Sequence, residues 1–197
     1  MSDILTEILS TPETLEPAAY QYWKGIKEKR RIILNDQVDD SIIESVTIPL
    51  LDWDNDGTGE PIEIILCTPG GSLLDGMTLC NVIDNLKTPT TIRVLSYACS
   101  MGAYILMAGY NNPNVRKVAY PFSTALIHGG SLNLEGSLDS VKDAMKFQNK
   151  LDAKIKEYVL SHSRFTEKDY KKIDRVEAWL TAEDMLQYGL IDEIVGG

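Results

Sequence analysis

The chain has 197 residues, 44% of them hydrophobic and 24% charged, a balance that excludes a disordered polymer and supplies one domain with a sizeable core. Acids outnumber bases 29 to 19, for a formal charge of −10, so nothing points to a nucleic-acid partner, which would need a basic face. The apolar runs 62–67 and 103–108 are far too short for a membrane span, no basic-then-apolar leader opens the chain, and Cys67, Cys80 and Cys99 lack metal or redox spacing; reduced thiols in the cytoplasm are the expectation.

Residues 1–16 are polar and acidic, with Pro12 closing in on Pro17, and read as a loosely docked arm. Tyr20, Trp23 and Ile26 recur at helical spacing, which predicts a short amphipathic helix whose aromatics pack in the core, or else at a subunit interface. From Arg31 strands and helices alternate. A strand is predicted over 31–34, then a helix over 41–51 with Asp40 as N-cap and Pro49 as a kink or early end. The run 62–67 suits a strand covered on both faces. Leu73, Met77, Cys80, Ile83 and Leu86 mark a helix with one apolar face. A strand over 91–95, a buried helix over 101–110 and short strands over 118–120 and 124–128 follow. Ser137 caps a long helix to about Ser161, and a last helix from Thr181 stops at Gly189 before a strand over 190–195. This alternation means an α/β fold with a mainly parallel sheet and crossover helices.

One motif invites a metal reading. Asp52, Asp54, Asp56, Gly57 and Glu63 satisfy the calcium-loop pattern D-x-D-x-D-G-x₅-E. The context opposes it, because such a loop needs a helix on each side and Glu63 falls on a predicted strand. An acidic turn is the expectation.

Three other places carry chemistry. Thr68-Pro69-Gly70-Gly71-Ser72 joins a predicted strand to a predicted helix, and paired glycines there let the backbone approach a ligand and turn its N–H groups outward. Alone, it is an ordinary turn. In Ala98-Cys99-Ser100-Met101-Gly102-Ala103, Ser100 opens the buried helix, where free N–H groups and the dipole favour developing negative charge, the setting of an activated nucleophile or simply of an N-cap. Cys99, its neighbour, is expected to face the core. In Leu126-Ile127-His128-Gly129-Gly130 a histidine ends an apolar strand. The chain's other histidine, His162, closes the long helix, where a cation complements the dipole, so His128 is the candidate base.

Together these motifs resemble the ClpP family, the proteolytic subunit of the Clp protease within the crotonase-like superfold. The resemblance covers about residues 28–195 and includes the end segments Trp179-Leu180-Thr181-Ala182-Glu183 and Tyr188-Gly189-Leu190-Ile191-Asp192. It implies an N-terminal arm and short helix over 1–27, and over 28–197 a ClpP-like serine protease domain, a repeated β-β-α spiral with a protruding long helix, or handle. By the resemblance Ser100 is the nucleophile, His128 the general base, and the N–H groups of Gly71 and Met101 the oxyanion hole, with Gly70, Gly129 and Gly130 along the substrate. The segment 129–136 would offer an edge on which a peptide adds as a strand. The family's third triad member, an aspartate shortly before the W/F-[ML]-[ST]-A-E stretch, falls by counting back on Glu177, with Asp174 as the fallback. No metal or organic cofactor is required. The partners implied are polypeptide substrates, other copies of the chain in stacked heptameric rings around a chamber, and an AAA+ unfoldase; no nucleic acid or membrane partner is expected. Two departures stand out: the arm is unlike the family's pore-loop segment, and the loop 111–114 is longer than usual.

Two rivals remain at this level. A crotonase-like acyl-CoA hydratase or isomerase would use the two N–H groups on a thioester enolate without needing Ser100 and His128. A catalytically weak structural ring subunit becomes credible if no carboxylate supports the imidazole.

Overall fold

The computed structural model describes residues 18–130, 135–173 and 176–196. The arm expected over 1–16 and the fallback residue Asp174 lie outside the described residues. Strands β1 (Arg31–Leu34), β2 (Ile62–Thr68), β3 (Thr90–Cys99), β4 (Val115–Ala119) and β7 (Glu193–Ile194) lie side by side in that order, every pairing parallel. The ten-residue β3 shapes the molecule. Its first half pairs with β4, Thr90 against Val115 to Val94 against Ala119. Between Leu66 and Thr68 the register with β2 shifts, so that Leu66 opposes Val94 but Thr68 opposes Ala98. Past this irregularity β3 pairs with a different strand, β5 (Thr124–Ile127), and β6 (Ala178–Leu180) adds to β5 antiparallel. A bulge re-aims a strand, and here it carries the end of β3 towards its second partner.

Strand alternation builds the core. Ile62, Ile64 and Leu66 are fully buried, as are Ile92 and Val94 beside them. The expectation that residues 62–67 are covered on both faces is corrected: Glu63, Ile65 and Cys67 are only half-buried. Glu63 accepts from Arg31 Nε at 2.6 Å and Arg93 Nε at 2.8 Å, an ionic row across β1, β2 and β3. These two guanidinium groups hold its carboxyl below the usual range against the opposing effect of burial.

Helix α1 (Ala18–Glu28) confirms the first helical pattern but not the burial of Trp23. Trp23 is 51% exposed and meets Tyr22 edge-to-face at 5.3 Å. The helix predicted over 41–51 exists as a π-helical turn (Ile43–Thr47) running into α2 (Ile48–Asp54). Pro49 neither kinks nor ends it. It occupies the first turn of α2, where a missing N–H costs little. The side chain at the start is that of Asp39 rather than Asp40, with Asp39 Oδ1 accepting from the Ser41 N–H at 2.9 Å. Helices α3 (Leu73–Asp84) and α4 (Met101–Met107) cover the buried face of the sheet, α4 being almost wholly enclosed.

Helix α5 (Leu138–Ser161) runs 24 residues, about 36 Å at the usual rise, with Ser137 accepting from the Ser140 N–H at 3.3 Å. Of this helix only Tyr158 and Val159, near its C-terminal end, are buried. It is the protruding handle. Helix α6 (Glu167–Ile173) and β6 are elements the sequence reading missed. The signal for α6 was present, since Thr166 and Asp169 form a reciprocal cap of the T-x-x-D kind. Helix α7 (Ala182–Gln187) starts on a capping box between Thr181 and Asp184 and ends before Gly189, as its sequence indicated. Among the described residues no helix is long and apolar enough to cross a membrane.

The acidic loop at 52–63 has other partners than a cation. Asp54 Oδ1 accepts from the N–H groups of Lys87 and Thr88, Asp56 pairs with Arg30, and Glu63 belongs to the ionic row. The long loop at 111–114 is likewise structural: Asn112 Nδ2 reaches the Leu86 carbonyl at 2.9 Å, and Asn111 Nδ2 the Ser161 carbonyl at 3.1 Å.

Lys117 on β4 is 1% exposed, its Nζ 5.3 Å from the Tyr110 ring centre and 3.4 Å from the Gly189 carbonyl. Burial pulls its ammonium down to about 8, against the attraction of Asp192 and Asp84. Between that value and the ordinary 10.5, the unfolded chain carries a proton the folded chain lacks, so stability rises with pH by up to about 1.4 kcal/mol per unit. From about pH 9 the thiols of Cys80 and Cys99 and, higher, the Tyr158 phenol act oppositely, because burial keeps them protonated in the folded chain. Thermal unfolding followed across pH 7.5–9.5 is therefore expected to show a midpoint that rises through pH 8 and then turns over near pH 9. Lys117→Met removes the rise. A rise of equal size in the variant disproves the assignment.

Candidate active site

Three loops leave the carboxyl ends of β2, β3 and β5, which lie side by side. This is where parallel sheets present ligands. Each loop arrives by a different device.

At the end of β3, Ser100 has φ +53 and ψ −118, one of two non-glycine residues with positive φ among those described. It is clamped there: its N–H donates to the Leu126 carbonyl at 2.8 Å, and its carbonyl accepts from the Ala103 N–H at 2.9 Å. The Ser100 side chain makes no capping bond, so its hydroxyl is not spent on helix α4. The peptide linking Ser100 to Met101 is trans and planar. With its carbonyl turned into the helix, the Met101 N–H points out of the helix mouth. Cys99 is buried, as expected from its place in the strand, and burial pushes its thiol up. A thiol so held is a poor nucleophile.

At the end of β2, residues 36–38 lie alongside the glycine turn. Val38 N–H donates to the Gly70 carbonyl at 2.9 Å, and Ser72 N–H to the Val38 carbonyl at 2.7 Å. In the trans peptide joining Gly70 to Gly71, the carbonyl faces Val38, so the Gly71 N–H faces the opposite way. Gly71 lines the same groove as Ser100 and Met101.

At the end of β5, His128 is half-buried and enters the groove with Gly129 and Gly130. The groove measures about 1020 Å³. Its far wall is the handle, through Met145, Phe147, Leu151 and Ile155, and its near wall includes Leu73 and Tyr104. His162, by contrast, is tied up elsewhere. It stacks on Tyr158 at 4.0 Å and sits 3.3 Å from Asp84 Oδ2.

Ser100, His128, Gly71 and Met101 thus line one groove. Against known proteins, a family profile described as Clp protease matches residues 14–197. The chain belongs to the Clp protease family. ATP-dependent Clp protease proteolytic subunit 2 of Prochlorococcus marinus (strain MIT 9312) is 28% identical over 198 residues, covering 94% of this chain and 93% of that protein. Proteolytic subunit 3 of Synechococcus sp. (strain CC9605) is 28% identical over 195 residues, covering 94% of both chains. Membership makes this chain a peptidase-family hydrolase with the α/β ClpP fold.

In this Clp protease subunit the expected orienting carboxylate, Glu177, stands just before β6. Ile127 opposes Ala178 across β5 and β6, where the antiparallel pairing ends, and His128 and Glu177 are the next residue beyond it on each side. The Glu177 side chain is exposed and lines a separate cavity of about 450 Å³ with Phe165, Ile173 and Tyr188. Among the described residues, no hydrogen bond joins Ser100 to His128 or His128 to Glu177. The sequence missed the groove's wall on the handle, although Leu151 and Ile155 repeat there at helical spacing.

Proposed function

We propose that the chain hydrolyses peptide bonds through an acyl-enzyme. The Ser100 hydroxyl attacks the scissile carbonyl, and its proton passes to the His128 imidazole. The Gly71 and Met101 N–H groups hold the resulting oxyanion, each donor contributing about 3 kcal/mol in sites of this kind. The C–N bond breaks as His128 returns the proton to the leaving amine. A water then repeats the sequence on the ester and frees Ser100. Neither metal nor organic cofactor enters these steps. Glu177 orients the imidazole, with Asp174 as the alternative. Substrates are unfolded or small polypeptides that lie along Gly70, Gly129 and Gly130. The subunits form stacked heptameric rings around a chamber, and an AAA+ ATPase delivers the substrate; the relatives' name, ATP-dependent Clp protease, supports that partnership.

The observation that carries the proposal is the strained Ser100 backbone at a helix mouth, with no capping bond from its side chain, in the groove that Gly71, Met101 and His128 also line. A serine-directed fluorophosphonate tests it. Mass spectrometry is expected to find one adduct, on the peptide containing Ser100, with labelling lost in Ser100→Ala and slowed in His128→Ala. No adduct, or one elsewhere, refutes the mechanism.

The carboxylate has its own test, because Glu177 lines a different cavity from His128, which favours a weakly active ring subunit as the second reading. Glu177→Gln is expected to lower kcat at least tenfold at unchanged melting temperature, as loss of an orienting carboxylate does. If Asp174→Asn does so instead, the role moves to Asp174. If neither variant loses activity, the pair works without a carboxylate.

A further inference from the structure

We infer that Thr68, which touches neither substrate nor the reacting atoms, is the positioning residue of the oxyanion-binding turn. The inference rests on the hydrolase reading above. Thr68 is the last residue of β2 and is completely buried. Its single hydroxyl serves two segments. Thr68 Oγ1 donates to the Asp36 carbonyl at 2.5 Å and accepts from the Gly70 N–H at 3.1 Å. Its methyl group fills the space beside Gly102, where an added Cβ would come within 2.6 Å of Thr68 Cγ2. One side chain therefore contacts the 36–38 segment, the glycine turn and the helix that carries Ser100.

A hydroxyl that closes a turn at a strand end is common and by itself structural. What sets Thr68 apart is which N–H it takes. By holding the Gly70 N–H inward, it fixes the peptide plane before Gly70. The Val38 N–H fixes the plane after it through the Gly70 carbonyl. With both planes held, the Gly71 N–H keeps one direction, away from Val38, and Gly71 lines the groove where the proposed mechanism places the oxyanion. Positive φ at both glycines, +91 and +149, means that no side chain stiffens this turn from within. The same hydroxyl also anchors the segment that supplies Val38, through the Asp36 carbonyl. Removing it frees the plane of Gly70 to rotate and releases one end of its clamp together, which turns a preorganised donor into a mobile one. Preorganisation is the source of an oxyanion hole's effect, and misplacement by about 1 Å costs about 100-fold.

The test compares kcat, KM and peptide-aldehyde affinity, with a fluorogenic peptide as substrate. Thr68→Val keeps the shape and loses the hydroxyl; Thr68→Ser keeps the hydroxyl. Thr68→Val is expected to lose about 10- to 100-fold in kcat with KM within about twofold, and to lose aldehyde affinity in parallel, because the hemiacetal oxygen uses the same donors. Thr68→Ser stays within about threefold of wild type. A structural role alone would move the melting temperature without splitting kcat from KM. Should Thr68→Val fail to fold, Thr68→Ala against Thr68→Ser carries the comparison, since both lack the γ-methyl and one keeps the hydroxyl. A wild-type chain that cleaves and is labelled at Ser100, beside a Thr68→Val chain that matches it, overturns this inference alone. So does a serine variant as impaired as the valine or alanine one. A wild-type chain that neither cleaves nor is labelled overturns the hydrolase reading and this inference with it.

Discussion

Ser100→Gly is expected to abolish peptide hydrolysis and, at the same time, to melt higher than Ser100→Ala. Loss of the nucleophile removes the acyl-enzyme route, a loss on the order of 10⁴-fold or more in kcat. The stability effect has a separate cause. Ser100 is held at φ +53, where a residue with a Cβ costs on the order of 1–3 kcal/mol. Alanine keeps that cost. Glycine removes it and gives back about 0.5–1 kcal/mol as extra freedom of the unfolded chain. The difference should be about 1 kcal/mol, or roughly 2–4 °C for a chain of this size, read at equal protein concentration. Arg30 is the control. It too has positive φ, at +52, but its guanidinium donates to the Trp53 carbonyl at 2.8 Å and pairs with Asp56. Arg30→Gly relieves the same backbone cost and loses those bonds, so it should melt lower than wild type. If Ser100→Gly melts no higher than Ser100→Ala, the backbone at Ser100 stores no strain, and the site's geometry is held by something other than the Leu126 and Ala103 bonds.

What the sequence revealed follows the range of the physics involved. β1 was legible to the residue because Arg31-Ile32-Ile33-Leu34 carries its own β-forming run, and α5 because Ser137 caps it locally. Ser100, Gly71 and His128 were legible as motifs, since a strand-to-helix turn must put such residues at the sheet's carboxyl edge. The rest depends on partners distant in the chain. The irregularity at Leu66 and Thr68, which sends β3 from β4 to β5, leaves no mark in local composition. β6 is three residues long, with Trp179 exposed, so its alternation is too short to see; it exists because β5 offers it an edge. Without β6, no register related the chain around His128 to the chain around Glu177. The burial expected of Trp23 in α1 failed for a related reason: helical spacing shows that Trp23 and Ile26 share a helix face but not what covers it. Likewise Pro49 was read as a break, because the π-helical turn that sets it in a new first turn depends on how Val46 and Leu50 seat in the core.

Gly70→Ala is the second large effect, and its cause is contact rather than chemistry. A Cβ built on Gly70 would lie 2.5 Å from the Cys99 carbonyl oxygen, 2.7 Å from the Met101 nitrogen and 2.8 Å from Ser100 Cβ. Two of these neighbours are backbone and the third is the first carbon of the nucleophile's own side chain, so no flexible end can swing aside. Gly70 also has φ +91, which an L side chain rarely adopts. Either β3 and its helix withdraw from the glycine turn, or the turn gives up its bond to Val38. Both moves separate the Gly71 N–H from the Met101 N–H, so the proposed oxyanion site loses its paired donors even where the chain still folds. The expected result is destabilisation of about 2–4 kcal/mol together with loss of at least 10³-fold in kcat, most of it as slowed fluorophosphonate labelling of Ser100. Gly130→Ala separates crowding within the protein from crowding against the substrate. Nothing lies within 4 Å of a Cβ at Gly130, which lines the groove, so that variant should melt like wild type, and any loss should appear in KM. A Gly70→Ala chain that melts and labels like wild type would mean that the turn and the serine are not packed against each other, and the shared oxyanion site would go with that contact.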